Sequence, residues 1–185
     1  MQCQDQIGWF RRLDARRLDV TLVVLRTVIG YGYGATFSRQ PIRGEESLMA
    51  TITKDIETVA PVHDVWSAIR DIGALHTRLV PGFVVDTVLD GDARIVTFAN
   101  GMVIREPIIA IDDEHRRLVW SAEGPQFEHY NASAQAVEQG DGATVVVWTA
   151  DFRPDELADV VDEMMTAGAE AMKTALDGDT ARKRG

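Results

Sequence analysis

The chain has 185 residues, 45% hydrophobic and 26% charged, which is enough for one well-buried domain with an appendage and too little for two ordinary domains. Its formal charge of −10 is uneven: residues 1–48 carry seven arginines against five acids, whereas residues 49–185 carry twelve basic against twenty-four acidic groups. An acidic body repels phosphate backbones and excludes nucleic acid as a partner, and the lone Cys3 excludes an internal disulfide and fits a reducing cytoplasm.

In residues 1–48, Arg11, Arg12, Arg16 and Arg17 precede an apolar run from Val20 to Ile29 that Arg26 interrupts. A spanning helix needs about 20 apolar residues, so this run predicts no membrane span. The internal arginine and the lack of a small-x-small cleavage site also argue against a secretory signal. The segment reads as a flexible extension or a mistranslated start, with one amphipathic helix over residues 9–29 at most.

From Ala50 to Val59, Ile52, Lys54 and Ile56 alternate with polar residues, the period-two pattern of a half-wet strand. Lys54 on the apolar side is read as snorkelling at a rim. Pro61 suits the first position of a helix, and Val62, Val65, Trp66 and Ile69 follow at helical spacing. A second short helix is predicted over residues 72–79, ended by Pro81-Gly82. Phe83, Val85, Thr87 and Leu89 share one face of the next strand, which the Asp90-Gly91-Asp92 turn reverses. A strand over residues 95–100 leads to the hairpin signal Asn100-Gly101.

From Met102 to Ile111, Met102, Ile104, Ile108 and Ala110 share a face with Glu106, an acid on an otherwise apolar surface. Leu118, Trp120 and Ala122 mark one face of the following strand. Tyr130, Ala132, Ala134 and Ala136 point inward from the next, where small residues leave space. Thr144 to Phe152, reached through Gly140-Asp141-Gly142, is the most apolar strand and puts Trp148 on the same face as Val146, Ala150 and Phe152. Pro154 starts the last helix, with acids in its first turn; its stripe is Leu157, Val161, Met164, Gly168, Met172 and Ala175, and it is expected to stop at Asp177-Gly178. Residues 179–185 are expected to fray.

The residues Ala60-Pro61-Val62-His63-Asp64-Val65-Trp66, Arg105-Glu106-Pro107-Ile108, Arg116-Arg117-Leu118-Val119-Trp120, His129-Tyr130-Asn131-Ala132-Ser133 and Trp148 through Leu157 together resemble the START-like, or SRPBCC, superfamily of polyketide cyclase/dehydrase-type proteins, with Bet v 1-like folds as more distant relatives. The resemblance covers about residues 49–177, and its motifs identify a fold more than an activity. It implies an α+β helix-grip fold: a curved antiparallel sheet wrapped around a long C-terminal helix, with two short helices after the first strand. The domain then spans residues 49–178. In this superfamily hydrophobic ligands occupy a cavity between the sheet and that helix, so the implied partner is a hydrophobic or aromatic small molecule.

A buried acid beside a phenol can do acid–base work, because burial raises a carboxyl pKa and the phenol donates a hydrogen bond. Glu106 and Tyr130 are the candidate catalytic pair, for cyclisation, dehydration or aromatisation of a polyketide-like substrate. The plainer alternative is that Glu106 neutralises Arg105, Arg78 or Lys54 at a rim and Tyr130 merely packs. Arg78, with His76, can bind a ligand oxygen. Trp120 and Trp148 are ligand-wall candidates, although aromatics in strands normally fill cores. Met164, Met165 and Met172 let the helix wall adapt, Met165 being the ligand-contact choice. His63, His76, His115 and His129 have no metal-ligand spacing, so no metal is expected. No nucleotide loop or Gly-x-Ser-x-Gly appears, so no cofactor is expected. Ligand binding in the cytoplasm, with or without catalysis, is the leading reading. A protein-interaction or stress-related module with a filled interior is its rival, and a homodimer stays open.

Overall fold

The computed structural model describes residues 49–140 and 142–185. The expectations for Cys3, for the helix over residues 9–29 and for Asp141 lie outside the described residues. Seven strands form one antiparallel sheet: β1 (Ala50–Thr58), β2 (Val84–Asp90), β3 (Ala93–Phe98), β4 (Val103–Asp112), β5 (Arg117–Ser121), β6 (His129–Glu138) and β7 (Thr144–Arg153). Their order across the sheet is β1-β7-β6-β5-β4-β3-β2, so β1 and β2 are the two edges. Between those edges in sequence lie the helix α1 (Val62–Arg70) and a single wide helical turn, Leu75–Leu79, closed by the i to i+5 bond from Val80 N–H to the Leu75 carbonyl. The long helix α2 (Ala158–Arg184) follows β7.

The strands form because their apolar positions recur every second residue, so one face of the sheet can be buried. Along β6 and β7, Ala132, Ala134, Ala136, Val146, Ala150 and Phe152 are all buried, as the alternation predicts. Two bulges break it elsewhere. A register shift between Val84 and Asp86 turns β2, so Val84 and Thr87 are buried while Val85, expected on the face of Thr87, is exposed; Leu89, beyond the shift, is exposed near the strand's end. Another shift between Ile108 and Ala110 puts Ala110 on the outside, away from the face of Glu106. An extra residue in one strand inverts the inside-outside pattern beyond it, and alternation alone carries no sign of it. The two-residue turn between β2 and β3 needs a left-handed residue, supplied by Gly91 with φ +63°.

α1 buries Val65, Trp66, Ala68 and Ile69. Its Trp66 indole N–H and Arg70 guanidinium both donate to Asp113, at 3.0 and 2.7 Å, which ties the helix to the β4–β5 turn. α2 buries Val161, Met165, Gly168, Met172, Leu176 and Thr180. The stripe therefore runs through Met165 and Leu176 where Met164 and Ala175 were expected. Each large apolar side chain in it contributes about 1.5–3 kcal/mol on burial.

Two boundaries at the C-terminal end differ from the sequence reading. Pro154 opens a short tight turn, Asp155–Leu157, and the α-helix proper begins at Ala158. The helix also passes through Asp177-Gly178 to Arg184, with Thr180 buried and Lys183 pairing with Asp64 of α1 at 2.9 Å. A glycine ends a helix only where the chain gains by turning there; here contacts to α1 reward continuing. Asp177 accepts from the Thr58 hydroxyl at 2.6 Å and the Val59 N–H at 3.0 Å, while Lys173 reaches the Glu57 carbonyl at 2.6 Å. These bonds clamp α2 to the end of β1. Lys54 pairs with Asp162 at 2.8 Å at the sheet rim, with its stem on the apolar side.

Candidate functional site

The register of the sheet sets Arg94 of β3 directly opposite Glu106 of β4, and Val96 opposite Ile104. Direct partners in an antiparallel pair point to the same face, so Arg94 and Glu106 lie on the buried face beside Val96 and Ile104. Their side chains join at 2.7 Å, with Arg94 3% and Glu106 8% exposed. The Arg94 guanidinium reaches across β4 to lie 5.4 Å from the ring centre of Trp120 on β5, a cation–π contact. Arg94 is thus the partner of Glu106; neither Arg105, Arg78 nor Lys54 fills that role. Arg105 points away and binds Asp90 and Glu123.

Burying an ion pair costs several kcal/mol per charge unless every polar atom is matched. Here one is not: Arg94 Nη1 is buried with no hydrogen-bond partner. An unmade buried donor costs about 1–3 kcal/mol. Tyr130 lies on β6 in the next part of the same face, stacked at 6.2 Å on Phe152 and 4.8 Å from Phe127. Burial pushes its phenol well above the ordinary tyrosine range, and the negative charge of Glu106 adds to the shift. Tyr130 therefore keeps its proton and can only donate or accept a hydrogen bond as a neutral phenol. Glu106 Oε2 is engaged by the Arg94 Nε–H.

The structure brings Glu106, Tyr130 and Trp120 onto one face, with Arg94 among them. It places the other candidates differently. Arg78 binds Asp71 at 2.8 Å and both the carbonyl and hydroxyl of Ser67, which fixes the helical turn to α1. It also lines an open groove of about 450 Å³ beside α2, with Pro81, Glu170 and Arg182. None of these contacts is with Glu106 or Tyr130. Trp148 is on the inner face, but its six-membered ring packs on α2: a Cβ at Gly168 would lie 2.9 Å from it and 3.1 Å from Phe83. Its indole N–H is buried without a partner. Met165 is 2% exposed within the core. His76 has a buried Nδ1 with no partner on the helical turn. No group of residues suited to a metal ion occurs among the described residues.

Arg94 is the residue that sequence reasoning missed. It shares the period-two face of Val96 and Phe98, which was the available signal. Starting the strand at Ile95 left it in the turn, although the ladder begins at Ala93.

A family described as polyketide cyclase / dehydrase and lipid transport matches residues 49–182. The chain belongs to this family. As a polyketide cyclase/dehydrase family protein of the SRPBCC superfamily it has the helix-grip fold, seen also in solved structures. An uncharacterized protein from Bacillus thuringiensis is 22% identical with TM-score 0.62, covering 69% of this chain and 98% of that one. XoxI from Bacillus cereus is 22% identical with TM-score 0.61, covering 69% and 95%. Norcoclaurine synthase from Thalictrum flavum, in complex with dopamine and hydroxybenzaldehyde, is 20% identical with TM-score 0.60, covering 85% and 97%. At these identities the likeness is one of fold. No curated protein matches the chain. The polyketide cyclase/dehydrase family and its Bet v 1-like neighbours share a fold that binds ligands. Among the described residues no helix is long and apolar enough to cross a membrane.

Proposed function

We propose that this protein binds a hydrophobic or aromatic small molecule between the sheet and α2, against Arg94, Glu106, Trp120 and Tyr130. One observation carries the reading: a buried Arg94–Glu106 pair whose guanidinium keeps an unmatched N–H. A purely structural core would be as stable with two apolar side chains there. A ligand oxygen would satisfy that donor, and the aromatic surfaces of Trp120 and Tyr130 would cover an apolar body. The family match and the bound aromatic compounds in norcoclaurine synthase support the same reading. Carriage in the cytoplasm is the minimum function; a cyclase or dehydratase step would use Glu106 and Tyr130, the neutral phenol holding a substrate oxygen by a hydrogen bond.

The interaction-module alternative draws on the closed contact of Gly168 with Trp148 and Phe83, which fills that stretch of the interior. Native mass spectrometry of protein purified from its own host separates the two. A retained apolar compound, lost on denaturation, is expected. Protein that is empty when isolated and takes up no apolar compound would favour the alternative. With a substrate in hand, unchanged turnover of Glu106→Gln would remove Glu106 from any catalytic account.

A further inference from the structure

The unmatched polar groups on the inner face have a common character. Arg94 Nη1 and Trp148 Nε1 are donors, and Thr87 Oγ1, paired across β2 and β3 with the buried Val96, is a hydroxyl. Tyr130 holds its proton and adds a further O–H. No oxygen of a side-chain carbonyl or carboxylate is among the fully buried unpartnered atoms of the described residues. Donors of this kind match acceptor oxygens.

Charge narrows the choice. Glu106 supplies the counter-charge of Arg94 at 2.7 Å, and the pair is neutral as a unit. A ligand carboxylate at Nη1 would leave two anions on one guanidinium in a site cut off from water, a buried net charge that hydration no longer offsets. The excess of acidic groups over residues 49–185 opposes an anion further. A neutral carbonyl oxygen accepts the same hydrogen bond at no such cost, and the N–H of a charged donor makes it a strong one. The cation–π contact with Trp120 stabilises the guanidinium without supplying an acceptor for Nη1.

Resting on the small-molecule reading above, we infer that the ligand is an uncharged apolar molecule carrying a ketone- or aldehyde-type carbonyl oxygen that accepts from Arg94 Nη1, and that carboxylates of the same shape are rejected. Glu106 acts as a positioning residue: it holds the guanidinium and sets the sign of the selection.

Three probes of matched shape test this by isothermal titration calorimetry on the full chain: 2-acetylnaphthalene, 2-ethylnaphthalene and 2-naphthoate. The ketone is expected to bind about tenfold more tightly than the hydrocarbon, and the carboxylate more weakly than the ketone by at least as much. In the double variant Arg94→Met/Glu106→Leu, which removes both charges, the ketone-to-hydrocarbon ratio should fall to about one. Tightest binding of 2-naphthoate would overturn the inference. Equal binding of ketone and hydrocarbon would overturn it while leaving the small-molecule reading intact. Binding of none of the three would sink both. These wild-type outcomes decide the matter even if the double variant fails to fold, and a ratio unchanged in a folded double variant would refute the role of Arg94.

Discussion

Arg94 and Glu106 face each other across β3 and β4 with their side chains 2.7 Å apart, and the guanidinium lies 5.4 Å from the ring centre of Trp120 while its Nη1 has no acceptor. Such a pair makes opposite demands on single and double substitution. Arg94→Ala strands a buried carboxylate and should lower unfolding free energy by about 3–5 kcal/mol. Arg94→Met/Glu106→Leu removes both charges at similar volume and should fall within about 1 kcal/mol of the parent, or above it. Urea denaturation of the parent, both single variants and the double variant checks this. A double variant as unstable as the sum of its singles would show that the two charges act independently.

The approach of α2 to the sheet sets a second expectation. A methyl group at Gly168 would meet the Trp148 ring at 2.9 Å and Phe83 at 3.1 Å. Overpacking costs about 1–3 kcal/mol, whereas alanine in a helix interior gains about 1 kcal/mol over glycine. Gly168→Ala should therefore lower the thermal midpoint modestly. In a Trp148→Phe background the clashing Cζ3 and Cη2 atoms are gone, so the same change should become neutral or stabilising. Calorimetry of the four proteins reads the sign, and a midpoint raised by Gly168→Ala alone would mean the helix yields freely.

Much of the fold was legible because it rests on alternation. The inward alanines of β6 and the buried positions of β7 follow from period two, and the sheet face of Glu106 follows from its apolar neighbours Ile104 and Ile108. What was not legible came from register and from long-range partners. The bulges in β2 and β4 leave no mark in hydropathy. Arg94 reads as a turn residue until its partner across the ladder is known, and the bonds of Arg78 to Asp71 and Ser67 leave no mark in the sequence. Gly178 reads as a helix stop until contacts beyond it are seen. Charge on an inner face is visible in sequence; which opposite charge it meets is a property of the fold.

Acid should loosen the clamp between α2 and β1. Burial raises the Asp177 carboxyl, but the Thr58 hydroxyl, Lys173 and the Val59 N–H outweigh it and hold the group below the ordinary carboxylate range. A carboxylate depressed on folding contributes stability that is complete above its unfolded pKa of about 3.9 and is lost as pH falls through its folded value. Asp64, held down by Lys183, and Asp113, held down by Arg70 and Trp66, act in the same direction. The thermal midpoint should be flat above about pH 5 and fall below about pH 4. Asp177→Asn should lower the plateau and shallow the acid limb. Equal acid limbs in the two proteins would remove Asp177 from the titrating set.

The last turns of α2 are the place where helix continuation can be weighed directly. Beyond Gly178 the helix buries Thr180, whose hydroxyl donates to the Leu176 carbonyl at 3.0 Å, and carries Lys183 to Asp64 of α1. The ion pair is exposed on the lysine side, and by itself is worth about 0–1 kcal/mol. Burial of Thr180 and the added helical turns contribute the rest, so ending the chain at Gly178 should cost about 1–2 kcal/mol while Lys183→Ala should cost less than half of that. Because Lys183 lowers the Asp64 carboxyl, the Lys183→Ala effect should be present at neutral pH and vanish once Asp64 is protonated, below the ordinary carboxylate range. Guanidinium denaturation of both variants at neutral and acid pH measures each part. A truncation that leaves the midpoint unchanged would mean that residues 179–185 hold their helical form without stabilising the domain.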